Sequence, residues 1–307
     1  MSKKFDLAKF KESIKIADTP LKKDSYVELQ PELQAVLGMP GIPLGHVVQI
    51  FGKSDTGKTT IMLNAAIACQ KQAVLPILIL VENKFSWTRA DAMGFNRDDS
   101  IVNEDCEFLE DIFLFIDKML AAQGNGDLPR DIVFFVDAIG SAVSSRSVTV
   151  NKDGTRELGG AMMLAAKTIR ERMRTYMHAI NRTRKIASPY FASLVFINHA
   201  YTQPPAFPGG PSKLVPYGGE GIWLASSLVL RTQAVQQLNA TKDGKKLKFG
   251  IVSKIIVDKN HITNTSNSGE FVIASDSIFA NEKGAIADYK EAHKDSWGSA
   301  TLEEDNE

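Results

Sequence analysis

The chain has 307 residues, 44% hydrophobic and 23% charged, which is ample for a buried core and excludes collagen-like, coiled-coil and wholly disordered classes. Lysine and arginine total 36, as do aspartate and glutamate, and a net charge of zero argues at first against a nucleic-acid partner. Cys69 and Cys106 lie outside any CxxC or Cys/His spacing, which excludes a disulfide framework and leaves two small hydrophobes in a reducing compartment.

The length suggests about two domains, or one large α/β domain with appendages. No apolar run approaches the ~18 residues of a membrane span, and no apolar core follows the basic start, so a cytoplasmic protein without membrane attachment is expected. In the lysine-rich first 25 residues, Phe5, Leu7, Phe10, Ile14 and Ile16 form an apolar stripe that predicts a short amphipathic helix. Thr19-Pro20 breaks it. Such a helix packs on its own domain or docks on a neighbouring subunit.

From His46 onward, continuous apolar runs at 47–51, 76–81, 132–136, 193–197 and 227–230 predict strands buried on both faces. Helical patterns at 59–73, 109–122 and 160–180 separate them, which predicts a mostly parallel sheet with helices on both faces. Runs at 251–257 and 271–274 flank a polar stretch and predict a C-terminal antiparallel hairpin. Two stretches, 144–158 and 201–221, fit neither helix nor strand; the second carries Pro204, Pro205, Pro208 and Pro211. Loops of that length are functional or mobile. The chain closes on Leu302-Glu303-Glu304-Asp305-Asn306-Glu307, expected to be a disordered acidic tail.

Gly52-Lys53-Ser54-Asp55-Thr56-Gly57-Lys58-Thr59 satisfies G-x-x-x-x-G-K-[ST] between a predicted strand and a predicted helix. Its backbone N–H groups, with the helix N-terminus and Thr60 just inside it, would cradle phosphates. Lys58 would supply a charge for the β/γ-phosphates of ATP, and Thr59 a hydroxyl for Mg²⁺. Asp137 ends the strand 132–136, where it would hold the metal through a water or else cap the next helix. Glu82 closes the run 76–81, which makes it a general base for hydrolysis or a solvated acid at a strand end.

The lead-in Leu37-Gly38-Met39-Pro40-Gly41-Ile42-Pro43-Leu44-Gly45-His46 and the strand leading into Gly52 resemble the start of the P-loop region of bacterial RecA recombinases. Glu82 falls at that family's catalytic glutamate, Asp137 at its Walker B aspartate, and Gly160-Ala161-Met162-Met163 at the helix after its first DNA loop. Leu194-Val195-Phe196-Ile197-Asn198-His199 is similar to its γ-phosphate-sensing strand, and Gly218-Gly219-Glu220-Gly221 to the close of its second DNA loop. Asn-His in place of Asn-Gln, together with the short C-terminal region, points to the phage UvsX-type members. The resemblance implies a RecA-like P-loop ATPase core over 35–280 with two DNA-binding loops. Residues 1–34 would form an oligomerisation helix and strand, the strand at Tyr26-Val27-Glu28-Leu29, and 281–307 a short segment with the acidic tail.

By this resemblance His199 senses the γ-phosphate and relays it to the second loop. Arg146, Lys152 and Arg156 in the first loop and Lys213 in the second would neutralise phosphates, while Phe207 and Tyr217 stack on bases. Lys259-Asn260-His261 resembles the Lys-Asn-Lys segment that reaches a neighbour's ATP, so Lys259 would be catalytic in trans, with His261 replacing the second lysine. The stretch Asn83-Lys84-Phe85-Ser86-Trp87 departs from the family's adenine site, leaving Phe85 or Trp87 to stack on the base or merely to pack.

The implied activity is that of a DNA-dependent ATPase that forms helical filaments on single-stranded DNA and exchanges strands with double-stranded DNA. A recombination mediator and a single-strand-binding protein are its expected partners. Two other readings share the phosphate chemistry: a RecA-fold regulator without strand exchange, and a hexameric helicase motor. The zero net charge conceals segregation, because Lys167, Arg170, Arg172, Arg174, Arg182, Arg184 and Lys185 crowd one region against Glu171 alone. That face would meet DNA or a neighbouring subunit.

Overall fold

The computed structural model describes residues 6, 9, 10, 13, 20–82, 84–150, 156–205, 207, 209–242 and 245–294. Most of the predicted N-terminal helix, Lys152 and the acidic tail lie outside the described residues. Strand β1 (Tyr26–Glu28) pairs with β2 (Gly41–Pro43) across helix α1 (Pro31–Leu37). Pro31 opens α1, and Gly38 closes it with φ 66° and its N–H on the Gln34 carbonyl, a left-handed cap that glycine takes without strain. Val27, Leu33 and Leu37 enter the same core as the P-loop helix, so the boundary expected after residue 34 falls inside α1.

The main parallel strands are β3 (Val47–Gly52), β4 (Leu75–Leu80), β5 (Ile101–Asn103), β6 (Ile132–Asp137) and β9 (Ala192–Gln203). Most of them follow the apolar runs, although β5, which is only half-buried, matches none of the runs. Between them lie α2 (Lys58–Lys71), α3 (Trp87–Ala92), α4 (Leu109–Asn125) and α5 (Ala161–Thr183). Every residue of β3, β4 and β6 is buried, as parallel strands covered by helices on both faces require. Val48 and Ile50 face α2 through Ile61 and Ala65. On the other face Phe134, Val136 and Phe196 pack on Phe113 of α4 and Met173 and Tyr176 of α5. The Tyr176 hydroxyl donates to the Phe113 carbonyl at 2.9 Å, so this buried polar group is satisfied.

Both stretches left without an element are hairpins. Val148–Val150 (β7) pairs with Arg156–Leu158 (β8), and the end of β9 pairs with Lys213–Pro216 (β10), Gln203 facing Lys213. The first seven residues of β9 are buried and its last three are exposed. The strand therefore outlasts its apolar run because backbone pairing, not burial, sustains it. After the short helix α6 (Gly221–Ala225), the same effect extends β11 to Leu228–Lys242 and β12 to Lys245–Asn260, well beyond the predicted runs. β13 (Ser268–Ala274) pairs antiparallel with β12, Ile251 facing Ile273, which is the expected C-terminal hairpin. β14 (Ile278–Ala280) follows at the edge. Helix α7 (Lys283–Ala292) lays Ile286 against Leu238, Val252 and Val272.

Among the described residues these strands form a 10-stranded sheet in the order β14-β13-β12-β11-β3-β9-β6-β4-β5, with β10 attached to β9. The five neighbour pairs from β11 to β5 are parallel. No helix among the described residues is long and apolar enough to cross a membrane. Cys69 and Cys106 are buried free thiols, and burial pushes the Cys106 thiol up to about 11, with Asp111 and Asp105 adding to the effect.

Candidate active site

Parallel register brings the strand ends together. Gly52 of β3 faces His199 of β9, and Leu80 of β4 faces Asp137 of β6. Glu82, two residues past Leu80, consequently emerges at the same carboxyl edge, where open parallel sheets hold their ligands. A cavity of about 260 Å³ lies there, lined by residues 54–60 together with Glu82, Phe85, Arg89, Asp137 and His199.

The P-loop turns back on itself to start α2. Gly57 has φ 87°, and a Cβ there would overlap Ile273, so glycine is required on both counts. Lys58 is buried, and its ammonium donates to the Lys53 carbonyl at 2.7 Å. Burial lowers its pKa, while Asp137, Glu82 and Asp55 oppose that drop. The Thr59 hydroxyl donates to Asp137 Oδ2 at 2.7 Å. Burial pushes the Asp137 carboxyl above the usual range despite that bond, and the Glu82 charge adds to the rise. Two residues outside the motif anchor the loop: Thr232 Oγ1 lies 2.6 Å from Thr56 Oγ1, and the Ser253 hydroxyl donates to the Thr56 carbonyl at 2.8 Å. Their one local signal is a hydroxyl residue fully buried in a strand.

Glu82 Oε1 accepts from the Ser141 hydroxyl and contacts His199 Nε2 at 2.6 Å. Burial works against its charge, but the hydrogen bonds from Ser141 and His199 prevail and hold its carboxyl below the usual range. Stability from these contacts is therefore full above the ordinary carboxylate pKa and lost as pH falls through the depressed one. Ser141→Ala removes one lowering bond, so the acidic limb of the ATPase pH profile should move to higher pH. A limb that stays in place would show that Ser141 does not tune Glu82. Ser141 escaped sequence reading because it sits in a short 3-10 turn after β6, with no motif of its own.

His199 also joins this centre to the second hairpin. Its carbonyl accepts from Tyr217 N at 3.0 Å, and Asn198 Nδ2 donates to the Tyr217 carbonyl at 2.8 Å. The Tyr217 ring packs 5.0 Å from Tyr201, while Phe207 and Lys213 are exposed farther along. In the first hairpin Arg146 is exposed on a turn that Glu110 holds through Ser144 Oγ and Ser145 N, at 2.6 and 2.8 Å. Arg156 forms an ion pair with Glu107, so its charge is partly answered within the chain.

Two further expectations separate here. Trp87 is enclosed, with the Arg97 guanidinium 3.4 Å over its ring, Phe85 at 4.7 Å and its Nε1 donating to Glu104 at 3.1 Å. Phe85, and not Trp87, lines the cavity, as does Arg89, whose guanidinium is fixed by the Ala274 and Ser275 carbonyls at 2.7 and 2.6 Å. Lys259 does not line it either. Its ammonium donates to the Trp223 carbonyl at 2.8 Å, and its register partner Val229 faces Gln49, toward the start of β3 and away from the P-loop.

A strand–P-loop–helix unit in a sheet of this order, with Asp137 across from Thr59, defines a P-loop α/β protein. The RecA N-terminal domain model matches residues 18–277, and the chain belongs to the RecA family. Protein RecA from Streptococcus pyogenes serotype M5 (strain Manfredo), from serotype M1 and from serotype M3 (strain ATCC BAA-595 / MGAS315) are each 28% identical to it over 273 residues. Each alignment covers 84% of this chain and 66% of the relative, so the chain spans just under two thirds of the length of these relatives.

Proposed function

We propose that the chain is an ATP-dependent DNA recombinase that assembles on single-stranded DNA as a filament and pairs it with a homologous duplex. One observation carries this reading: His199 contacts Glu82 through its ring and the second hairpin through its carbonyl, so nucleotide state and hairpin share one residue. The donor set fits Mg²⁺-ATP. Thr59 and Asp137 present adjacent hard oxygens, and the Lys58 ammonium is held by the loop's own carbonyl beside glycines that leave the backbone open.

When bound, ATP with its magnesium supplies the phosphoryl group that is cleaved. Lys58 would balance the phosphate charge, and Thr59 and Asp137 would hold the metal. Glu82 accepts the proton of the attacking water. His199 leaves Glu82 for the γ-phosphate, which tightens the hairpin through Tyr217. Phe207 and Tyr217 then stack on bases while Arg146 and Lys213 neutralise phosphates. Fluorescence anisotropy with labelled single-stranded DNA should show binding with a non-hydrolysable ATP analogue and a steep fall with salt. Absence of binding at low salt would overturn the proposal.

A further inference from the structure

A second cluster of side chains adjoins the nucleotide cavity and has no part in the chemistry above. Ser275, Asp276 and Ser277 form the turn between β13 and β14, closed by Ala274 N donating to the Ser277 carbonyl at 2.9 Å. Helix α7 clasps this turn. The Tyr289 hydroxyl donates to Asp276 Oδ1 at 2.8 Å and lies 3.2 Å from Ser275 Oγ. His293 Nε2 lies 2.9 Å from Asp276 Oδ2, and its Nδ1 lies 2.9 Å from the Tyr289 carbonyl. The Tyr289 ring stacks on Phe249, Phe279 and His293 at 5.8, 5.1 and 4.0 Å.

The same turn carries Arg89. Its Nε and Nη2 donate to the Ser275 and Ala274 carbonyls at 2.6 and 2.7 Å, and Arg89 N donates to Ser86 Oγ at 3.2 Å, which caps α3. A planar guanidinium held by two donors on adjacent carbonyls has one orientation. The turn therefore sets where Arg89 stands in the cavity that it lines with the P-loop.

His293 faces an acceptor at each ring nitrogen, a carboxylate at Nε2 and a backbone carbonyl at Nδ1. A neutral imidazole has one N–H, so only the imidazolium makes both bonds. The Tyr289 carbonyl raises the His293 pKa above its usual value, burial opposes the rise and Asp276 adds to it. Burial works against the Asp276 charge, but the hydrogen bonds from Tyr289 and His293 prevail and hold its carboxyl below the usual range. Nearby charges are Arg89 on α3, which acts on Tyr289, Lys290, 5.3 Å over the Phe249 ring, and Lys294, which pairs with Glu291. What protonated His293 contributes is thus full below the ordinary histidine pKa and lost as pH rises through the raised one.

We propose that Asp276, Tyr289 and His293 are positioning residues for the nucleotide: they hold the turn that holds Arg89, and nucleotide binding weakens when His293 gives up its second proton. This rests on the ATP reading above. The test titrates a fluorescent ATP analogue into the whole chain, without DNA, from about pH 6 to about pH 9, across the histidine range. Wild-type affinity should fall roughly 2–10-fold over that window, the worth of one net hydrogen bond. His293→Gln should stay at the weaker value throughout. Ionisation of the analogue's own phosphates is common to both proteins and cancels in the comparison.

Asp276→Asn keeps an acceptor for Tyr289 but removes the charge, so the step should move to lower pH, which a merely structural fault would not produce. A wild-type profile that His293→Gln reproduces overturns the positioning role. So does a step that stays in place in Asp276→Asn, and a step that survives Arg89→Ala overturns the route through Arg89. Tight wild-type binding that ignores pH defeats the positioning role alone, whereas no binding at any pH would sink the ATP reading and this role with it.

Discussion

Glu82→Gln should lower ATP turnover by roughly 10²–10⁴-fold, the range for loss of a positioned base, while analogue-supported DNA binding persists. The substitution keeps the side-chain shape and an acceptor oxygen for Ser141, but it removes the charge that His199 faces. Two measurements separate the roles of Glu82. Turnover reports proton abstraction, and anisotropy with the analogue reports the coupling through His199 to Tyr217. If turnover falls by less than about tenfold, another group serves as base. If binding falls together with turnover, Glu82 acts on the hairpin as well as on water.

Lys259→Ala should abolish most DNA-stimulated turnover, by roughly 10³–10⁵-fold if its ammonium acts as a cation supplied in trans. The fold supports that assignment, because Lys259 does not line its own chain's cavity and rests instead on the Trp223 carbonyl. Mixing supplies a sharper outcome. A Lys58→Ala chain lacks the phosphate lysine but offers Lys259, while a Lys259→Ala chain keeps the P-loop, so mixed filaments should regain activity at one class of interface. Activity that stays at the sum of the separate variants would place Lys259 outside the reaction. Burial already lowers the Lys259 pKa, so moving the ammonium from a carbonyl to a phosphate would restore its preference for charge.

Much of this site was legible in the sequence because it is local. The P-loop is eight consecutive residues, and Glu82 and Asp137 each close a continuous apolar run. A run buried on both faces predicts a strand, and a strand's carboxyl end predicts where its last side chain emerges. Those rules bring Thr59, Glu82 and Asp137 to one edge of the sheet, the resemblance to the RecA family adds His199, and all four line one cavity. The hairpins were not legible, because their strands alternate exposed polar residues and owe their persistence to backbone pairing, which leaves no hydrophobic period.

The sequence by itself determined the P-loop, the alternation of the buried strands with the long helices, and the carboxylates at the ends of those strands, since motif spacing and hydrophobic period are properties of neighbouring residues. Tertiary structure alone decided which long-range partners those groups have. Ser141 sits on Glu82, Thr232 and Ser253 on the P-loop, Glu107 on Arg156, and Arg97 on Trp87. Tertiary structure also resolved the neutral total charge into a single face of α5, where helical geometry gathers Lys167, Arg170, Arg174 and Arg182 on the outside. Burial of the opposite face against the sheet settles which side that is, and no count of lysines and glutamates contains that information.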